Sequence, residues 1–336
     1  MRIAVDAMGG DFAPREIVHG AVEAARGLTC ARRIILVGDN DVLKRELARQ
    51  GHVPSKIEIC HASEVVAMDE APALAVRRKK DSSIGRAVDL VKQGEADAML
   101  SAGNTGAVVA AASLKLRPLQ GVQRPAIATV MPTQKEHPFV LLDAGANVEC
   151  SPEMLRQFAV MGSIYSRVIL GQANPVVGLL SVGTEDVKGN ETTKEAFKLL
   201  SKTNVNFRGN VEGHDLFRGE THVVVCDGFV GNIVLKTSES VAHAIGHWMK
   251  QEFTRYPWRV LGTLLLSGAF KVMKQRMDPE LYGGAPLLGV NGVCIITHGA
   301  SSHRAIYHAI RVACEAVENH LNELISGEIA KMEGIA

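Results

Sequence analysis

Short apolar segments of three to five residues recur along the chain and alternate with longer amphipathic segments. The short segments are mostly apolar and rich in β-branched residues, as expected of strands buried on both faces of a sheet. They comprise Ile3–Val5, Ile34–Val37, Ile57–Cys60, Ala98–Leu100, Ile127–Val130, Val140–Leu142, Val176–Leu180, Val223–Cys226 and Val293–Thr297. Helices are predicted over Arg15–Arg26, Val42–Arg49, Ile84–Lys92, Pro152–Leu170 and, after Asn190 as the cap, Thr193–Leu200. This alternation predicts an α/β fold, a three-layer α/β/α sandwich with a mostly parallel sheet.

The pattern changes in the last third of the chain. Val230–Lys250 predicts one long helix, the Tyr-Pro-Trp sequence at 256–258 predicts a break, and a second helix follows. Ser301–Ile325 predicts a closing helix. Neither a linker nor an internal repeat interrupts the chain. We therefore predict a single domain over residues 1–330 with a protruding helical pair within residues 240–278.

Composition narrows the classes of function. Apolar residues make up 46% of the 336 residues, which indicates a well-cored globular protein. The formal net charge is +1 and only 4% of residues are aromatic, so nothing favours nucleic acid as a partner. The six cysteines contain no C-x-x-C pair, and a strand pattern begins directly after Met1-Arg2, so we expect a reducing, cytoplasmic setting. The longest strongly apolar stretch, Val260–Phe270, is too short to cross a bilayer.

One loop suggests the chemistry. The sequence SAGNTG at 101–106 follows an apolar segment and precedes a helix that begins with small residues at 107–112. The first N–H groups of a helix have no partner within the helix, and the helix dipole favours negative charge there. Small residues let a ligand approach the backbone. We therefore predict an anion site formed by Ser101, Gly103, Asn104, Thr105 and Gly106.

Similar clusters of small polar residues follow four other predicted strands, at 6–11, 143–147, 181–185 and 227–232. A single loop of this kind is most simply a turn that needs glycine. Because ligands of layered α/β folds bind at the carboxyl ends of strands, we expect these loops to converge on one face. The supporting residues would be Asp6, Gly9, Gly10, Asp11, Asp143, Asn147 and Asp227, whose carboxylates orient donors, cap helices or bind a cationic side chain rather than contact the anion.

Several motifs resemble those of the bacterial phosphate acyltransferases of phospholipid synthesis, which use acyl–acyl carrier protein and phosphate. The motifs are MRIAVDAMGGDFAP, SAGNTGA, LLDAGAN, CDGFVGNIVLKTSE, GGAPLLGVNG and THGASS, and they occur in this order over nearly the whole chain. The resemblance implies synthesis of a long-chain acyl phosphate from an acyl thioester and inorganic phosphate, so it also implies that the anion bound at 101–106 is phosphate. It also implies a homodimer and a fold akin to isocitrate and isopropylmalate dehydrogenases and to phosphotransacetylase.

The reaction needs a positioned phosphate, donors for the oxyanion and a place for the leaving thiolate. No G-x-S-x-G motif is present and Cys226 is expected to be buried, so direct attack by phosphate is favoured over an acyl-enzyme. Lys236 lies one helical turn after Asn232, so both can face one site, where the lysine neutralises phosphate or oxyanion. Asn291 and His298 flank the last predicted strand, and His298 is a candidate proton donor to the thiolate. Each also has a simpler alternative as a solvated or structural side chain.

No metal or cofactor is predicted. His243 and His247 have i, i+4 spacing, but no third ligand and no H-E-x-x-H motif accompany them. Nucleotide motifs of the G-x-x-x-x-G-K-[ST] and G-x-G-x-x-G types are also absent.

Two surface segments suggest partners. The densest basic run, Arg77, Arg78, Lys79 and Lys80, is either a solvated helix end or a docking site for the acidic acyl carrier protein. Residues 248–276 combine aromatic residues, leucines and six Lys or Arg residues against one Glu. Trp258, Leu261 and Leu264 would form a tip that packs on protein or binds an anionic membrane surface peripherally. The membrane position would deliver the acyl phosphate to a membrane acyltransferase.

Three alternatives stay open at this point. One is a phosphotransacetylase-like enzyme that uses short acyl-CoA. Another is a dehydrogenase of the same fold class, although neither a dinucleotide motif nor a metal-carboxylate cluster supports it. The last is a membrane-docked scaffold without chemistry, which predicts no acyl phosphate in any assay.

Overall fold

In the computed structural model of the chain, residues 1–135, 137–276 and 278–334 are described. Eleven strands form one sheet. In chain order the strands are β1 Arg2–Asp6, β2 Arg33–Gly38, β3 Ile57–His61, β4 Ala98–Ser101, β5 Ala126–Met131, β6 Phe139–Leu142, β7 Val176–Leu180, β8 Asn206–Val211, β9 Val223–Val225, β10 Ala285–Leu288 and β11 Val293–Ile296.

Twelve α-helices are found within the described residues. They are α1 Arg15–Gly27, α2 Asn40–Arg49, α3 Pro72–Arg78, α4 Ser83–Lys92, α5 Thr105–Lys115, α6 Pro152–Ile169, α7 Glu191–Leu200, α8 Gly228–Thr254, α9 Pro257–Leu265, α10 Ser267–Arg276, α11 His303–Glu318 and α12 Leu321–Glu333.

The strand order is β3-β2-β1-β4-β11-β10-β5-β6-β9-β7-β8, and the direction of the strands changes in the middle of the sheet. β1, β2, β3, β4 and β11 are parallel. β10 pairs antiparallel with both β11 and β5, and β5 pairs antiparallel with β6. β6, β9, β7 and β8 are parallel to one another, so this second group runs opposite to the first. Because seven of the ten pairings are parallel, the prediction of a mostly parallel sheet is confirmed.

Alternate residues of the central strands point to opposite faces of the sheet, each covered by helices. In β1, Ile3 and Val5 join a buried cluster with residues of α1, α6, α11 and α12. Ala4 between them joins another cluster, which includes residues of α3, α4 and α5. This alternation is what a strand buried on both sides requires, and it confirms the three-layer arrangement.

Helices α8, α9 and α10 are largely exposed. Within the 27 residues of α8, only Gly228 and Gly231 are buried, and α9 has no buried residue. The predicted break at Pro257 is confirmed, but two short helices follow it instead of one. Among the described residues, no helix combines the length and the apolar character that a bilayer-spanning segment needs.

All nine predicted strands are present, but the list was incomplete. β8 and β10 were not predicted, and neither was α3, which carries part of the basic run. The predicted closing helix is two helices, α11 and α12. His320 lies between them in a left-handed conformation with φ of +52°, which a continuous α-helix does not allow.

Candidate functional site

The loops that follow β1, β4 and β11 meet at one edge of the sheet, and we call them the first loop group (residues 7–14, 102–104 and 297–302). The N–H of Asp11 donates to the carbonyl of Gly299 at 2.7 Å. Gly9 packs so tightly on the loop at 102–104 that an added Cβ would lie 2.8 Å from the backbone of Gly103. Gly10, with φ of +108°, lies against Ala102. These contacts confirm that two of the predicted loops, at 6–11 and 101–106, come together, and the loop after β11 joins them.

A buried carboxyl group organises this meeting point. Asp6 is fully buried, and it accepts hydrogen bonds from the Ser101 hydroxyl at 2.6 Å and from the N–H of Met8 at 3.2 Å. Burial raises the pKa of this carboxyl group above its ordinary value, although the hydrogen bond from Ser101 opposes the shift. The Ser101 oxygen accepts in turn from the N–H of Gly103 at 3.0 Å. Asp6 and Ser101 therefore hold the loop in shape, and the Ser101 proton is directed at a carboxylate rather than at a ligand.

Asn104 also has its polar atoms engaged within the protein. Its side-chain oxygen accepts from the N–H of Ala107 at 3.0 Å and so caps α5. Its amide nitrogen lies 3.3, 3.0 and 3.0 Å from the carbonyl oxygens of Ala67, Met68 and Glu70. The side chain, 7% exposed, thus ties the start of α5 to residues 67–70. The structure assigns it an anchoring role, which differs from the predicted contact with an anion.

The free donors of the first loop group lie at the start of α5. Thr105 is exposed. The N–H groups of Thr105 and Gly106 precede the first intrahelical hydrogen bond, which Val108 donates to the Asn104 carbonyl, and within the described residues they have no acceptor. Pro72 at the start of α3 packs on Gly106, where an added Cβ would lie 2.5 Å from its ring. Two backbone donors and one hydroxyl are therefore available to an anion at this helix end.

His298 provides a further donor in the first loop group. The ring is exposed, and its Nδ1 accepts a hydrogen bond from the N–H of Ala300 at 3.1 Å. In the neutral ring this contact places the proton on Nε2. Asn291 lies at the opposite end of β11, where its amide donates to the carbonyl oxygens of Arg117 and Pro118 at 3.2 and 2.8 Å. The two residues that flank this strand are therefore not brought together.

A second loop group follows β6 and β9, at residues 143–150 and 226–227. Asp143 is fully buried and accepts from the N–H groups of Ile127, Gly145, Ala146 and Asn147 and from the Asn147 amide, all at 2.7–3.0 Å. Burial raises the pKa of this carboxyl group, and the hydrogen bonds partly offset that shift. Asp143 therefore shapes its loop and has no role as an exposed base.

The start of α8 packs on this second loop group. Asp227 caps the helix by accepting from the N–H of Val230 at 2.8 Å. Gly231 allows the closest approach, since an added Cβ would lie 1.9 Å from the carbonyl oxygen of Asp143. One and two turns along, Asn232 and Lys236 are exposed, and the Lys236 ammonium lies 3.0 Å from Glu239 in an exposed ion pair. The two predicted catalytic residues of this helix are thus available to solvent.

The expectation that all the loops converge on one face is wrong in part. β6, β7 and β9 run opposite to β1, β4 and β11, so their carboxyl ends, including the loop at 181–185, lie at the opposite edge of the sheet. The cause is the antiparallel pairing of β5 with β6, because β10 pairs antiparallel on both sides and leaves β5 running in the same direction as β11. The two loop groups nevertheless share a side of the sheet. Leu235 of α8 and Ala146 pack on the same cluster as Val108 and Ala112 of α5.

Cys226 is a buried core residue, as predicted. Its thiol donates to the carbonyl oxygen of Asp143 at 3.7 Å, and it is 4% exposed. Burial raises the pKa of this thiol well above its ordinary value, so it remains protonated and unreactive near neutral pH. The geometry gives it no role as a nucleophile.

The basic run lies at the end of α3, close to the start of α5. Pro72, the first residue of α3, contacts Gly106, and the helix of seven residues extends about 10 Å from there to Arg78. Lys79 is occupied, because its ammonium pairs with Glu70 and donates to the carbonyl of Val65 at 2.7 Å. The other three cations of the run, Arg77, Arg78 and Lys80, are exposed and have no ion-pair partner among the residues that the structure describes.

Residues 67–72 and α3 contribute to the site, but the sequence analysis missed them. Their signal in the sequence is Pro72, since proline is typical of the first position of a helix. His243 and His247 are exposed on α8, and no third ligand group joins them within the described ranges.

Comparisons with known proteins agree with one another. The chain matches the family described as fatty acid synthesis protein over residues 1–324. It is 53% identical to the phosphate acyltransferase of Pelotomaculum thermopropionicum over 333 residues, which cover 99% of this chain and 96% of that protein. In structure it resembles a phosphotransacetylase from Streptococcus pyogenes, with a TM-score of 0.62 and 20% identity over 95% of this chain and 94% of the other. It also resembles 4-hydroxythreonine-4-phosphate dehydrogenase from Klebsiella pneumoniae, with a TM-score of 0.52 and 15% identity over 94% and 99% of the two chains.

Proposed function

The chain belongs to the phosphate acyltransferase family, and from this premise we propose that it makes a long-chain acyl phosphate from an acyl–acyl carrier protein thioester and inorganic phosphate, an early step of phospholipid synthesis. The observation that carries the proposal is the start of α5. There, two backbone N–H groups without an acceptor among the described residues and the exposed Thr105 hydroxyl are available to an anion, and the exposed His298 belongs to the same loop group.

Phosphate binds at this helix end and attacks directly. One phosphate oxygen forms a bond to the thioester carbonyl carbon, and the carbon–sulfur bond breaks. The leaving thiolate takes a proton, for which the Nε2–H of His298 is the donor on this side of the sheet. No acyl-enzyme is formed, since Cys226 is buried and protonated. Donors aimed at the oxyanion contribute roughly 3–4 kcal/mol to catalysis of this kind.

Asn232 and Lys236 serve the acyl end of the reaction. They lie on the exposed face of α8, whose neighbouring Leu235 packs on the same cluster as α5. An extended thioester that crosses this side of the sheet reaches from one loop group to the other. Lys236, which is held only by an exposed ion pair to Glu239, stabilises the negative charge that develops on the thioester oxygen.

Acyl carrier protein docks on the basic run. Arg77, Arg78 and Lys80 have no ion-pair partner among the described residues, and they lie at the far end of α3, about 10 Å from the proposed phosphate site. Exposed cations of this kind steer an acidic partner and set the salt dependence of its binding. The position suits a carrier protein that must deliver a thioester to the start of α5.

The chain acts as a homodimer at the inner surface of the membrane. Ile233, Val241 and Ile245 are 42–52% exposed along α8, and a second copy would cover this apolar face. At the far end Trp258, Leu261 and Leu264 are 62–69% exposed and form the proposed membrane tip. Burying two or three such side chains in a bilayer surface contributes roughly 1.5–3 kcal/mol each. A membrane acyltransferase would then receive the acyl phosphate directly.

A short-chain acyl-CoA substrate is the remaining alternative, since the fold also occurs in a phosphotransacetylase. Family membership leaves no support for the scaffold or the dehydrogenase. Initial rates with carrier-protein and CoA thioesters of matched chain length separate the two substrates. A higher kcat/KM for the carrier-protein thioester is expected, and a preference for CoA would replace this proposal.

Thr105→Pro tests the phosphate site itself. Proline is compatible with the first position of a helix, but it removes one N–H and the hydroxyl. We expect KM for phosphate to rise at least tenfold while KM for the thioester is unchanged. Glu191→Pro, at the first position of α7, is the matched control and should leave both constants unchanged. Equal phosphate kinetics for Thr105→Pro and wild type would move the phosphate site elsewhere.

A further inference from the structure

Helices α1 and α11 bring two histidines and two glutamates together on the sheet face opposite α5. Glu16, His19 and Glu23 are spaced so that they share one side of α1. His303 is the first residue of α11. Gly20 permits the close crossing of the two helices, because an added Cβ there would lie 2.4 Å from the carbonyl oxygen of His303.

The hydrogen bonds of His303 fix which ring nitrogen is free. Glu16 Oε2 lies 2.9 Å from Nδ1 of His303 and accepts from its backbone N–H at 3.0 Å. A carboxylate at Nδ1 places the proton there, so Nε2 has a free lone pair. In metal sites, a ligating histidine commonly donates the N–H of its other ring nitrogen to a carboxylate, as His303 Nδ1 does to Glu16 here.

The Nε2 atoms of His19 and His303 face Glu23, whose carboxylate pairs with no lysine or arginine among the described residues. Glu23 Oε1 lies 3.6 Å from Nε2 of His19, and its Oε2 lies 4.0 Å from Nε2 of His303. The two imidazole rings are stacked with centroids 4.3 Å apart. Within the described part of the chain, no lysine or arginine nitrogen lies within 4.0 Å of Glu23. Glu16, in contrast, has its second oxygen 3.2 Å from Arg15.

We propose that this cluster binds a divalent transition-metal cation of the Zn²⁺ class, with His19, His303 and Glu23 as ligands and Glu16 orienting His303. Imidazole nitrogen and carboxylate oxygen are ligands that Zn²⁺ prefers. Tetrahedral bonds of about 2.0–2.1 Å place ligand atoms about 3.4 Å apart. The separations of 3.6 and 4.0 Å join the two rings to different oxygens of Glu23, and the ring planes are only 15° apart, so the ion requires both rings to rotate until each Nε2 points at it.

The cation would have a structural role rather than a catalytic one. It would join the first turns of α1 to the first residue of α11, and both helices follow directly from loops of the first loop group. Metal affinity in such a site becomes folding free energy, because the unfolded chain does not hold the ligands together. The cation is therefore expected to raise the stability of the protein.

The test uses full-length protein that has been stripped with a chelator. Zn²⁺ binding is measured by equilibrium dialysis, coordination by the visible spectrum of Co²⁺, and stability by thermal unfolding. We expect one ion per chain, a four-coordinate Co²⁺ spectrum and a rise in Tm. His19→Gln and Glu23→Gln should each weaken binding at least tenfold and abolish the rise, with the metal-free Tm unchanged.

His214→Gln is the matched control, because His214 lies in a separate, more exposed group with Glu212 and Asp215. It should bind Zn²⁺ as the wild type does. Binding that is unchanged in His19→Gln and Glu23→Gln would overturn the proposal, and so would loss of binding in His214→Gln or the absence of saturable uptake by the wild type.

Discussion

Asn104→Ala should destabilise the fold at the start of α5. The substitution removes the N-cap contact to Ala107, for which about 1 kcal/mol is typical. It also removes an amide whose two protons serve the carbonyl oxygens of residues 67–70, at about 1 kcal/mol for each hydrogen bond. The expected loss in the free energy of unfolding is therefore about 3 kcal/mol.

Asn190→Ala provides a matched comparison. Asn190 caps α7 through its side-chain oxygen at 2.9 Å from the Thr193 nitrogen, but it is exposed and its amide nitrogen has no hydrogen bond to the described residues. Its loss should be about 1 kcal/mol. Asn104→Ser keeps a capping oxygen and should fall between the two alanine variants.

The assay is urea unfolding, followed by fluorescence and circular dichroism, with the midpoint and the slope compared among the variants. The account of Asn104 as an anchor requires a loss that clearly exceeds that of Asn190→Ala. Equal losses in the two alanine variants, combined with a higher KM for phosphate in Asn104→Ala, would refute it and would restore Asn104 as a phosphate ligand.

Three further predictions concern the surface and pH. Replacing Arg77, Arg78 and Lys80 of the basic run with glutamine should weaken acyl carrier protein binding at low salt at least fivefold, as measured by calorimetry. The control Lys198→Gln on α7 should have no effect. Equal affinities of the triple variant and the wild type would show that the run is not the docking site. Trp258→Glu combined with Leu264→Glu should release the protein from anionic liposomes in a sedimentation assay with turnover retained, and continued co-sedimentation would exclude the tip. Burial lowers the pKa of His222 in the folded state, so the unfolded state takes up the proton first as the pH falls. The free energy of unfolding should therefore decrease below about pH 6.5, and His222→Gln should reduce that decrease in urea titrations at several pH values; an identical pH dependence would contradict the assignment.

The fold could be predicted from the sequence to the extent that burial on both faces leaves an unbroken apolar segment. β1 and β4 are of this kind, since every residue of β4 is buried. β8 is an outer strand with polar, half-exposed residues, so it has no such segment. β10 contains Pro286, which argues against a central strand, yet it pairs on both sides.

The directions of the strands decide which loops meet. Because β5 pairs antiparallel with β6, the strands from β6 onward run opposite to β1, β4 and β11, and the loop group around Asp143 lies at the other edge of the sheet from the one around Ser101. Sequence patterns show that a loop follows a strand, but the direction of each strand depends on pairings between distant segments. Likewise, Asn104 is a plausible phosphate ligand in the sequence, and only the folded chain shows residues 67–70 around its amide.

The most direct test of the proposed function is product formation from defined substrates. Purified protein is incubated with palmitoyl–acyl carrier protein and inorganic phosphate labelled with ¹⁸O at all four positions, and the products are analysed by ³¹P NMR and mass spectrometry. We predict an acyl phosphate that appears only when phosphate is present, contains all four labelled oxygens and forms in equal amount to free carrier-protein thiol. Thiol release without phosphate, or a product that contains no phosphate, would contradict direct acyl transfer to phosphate.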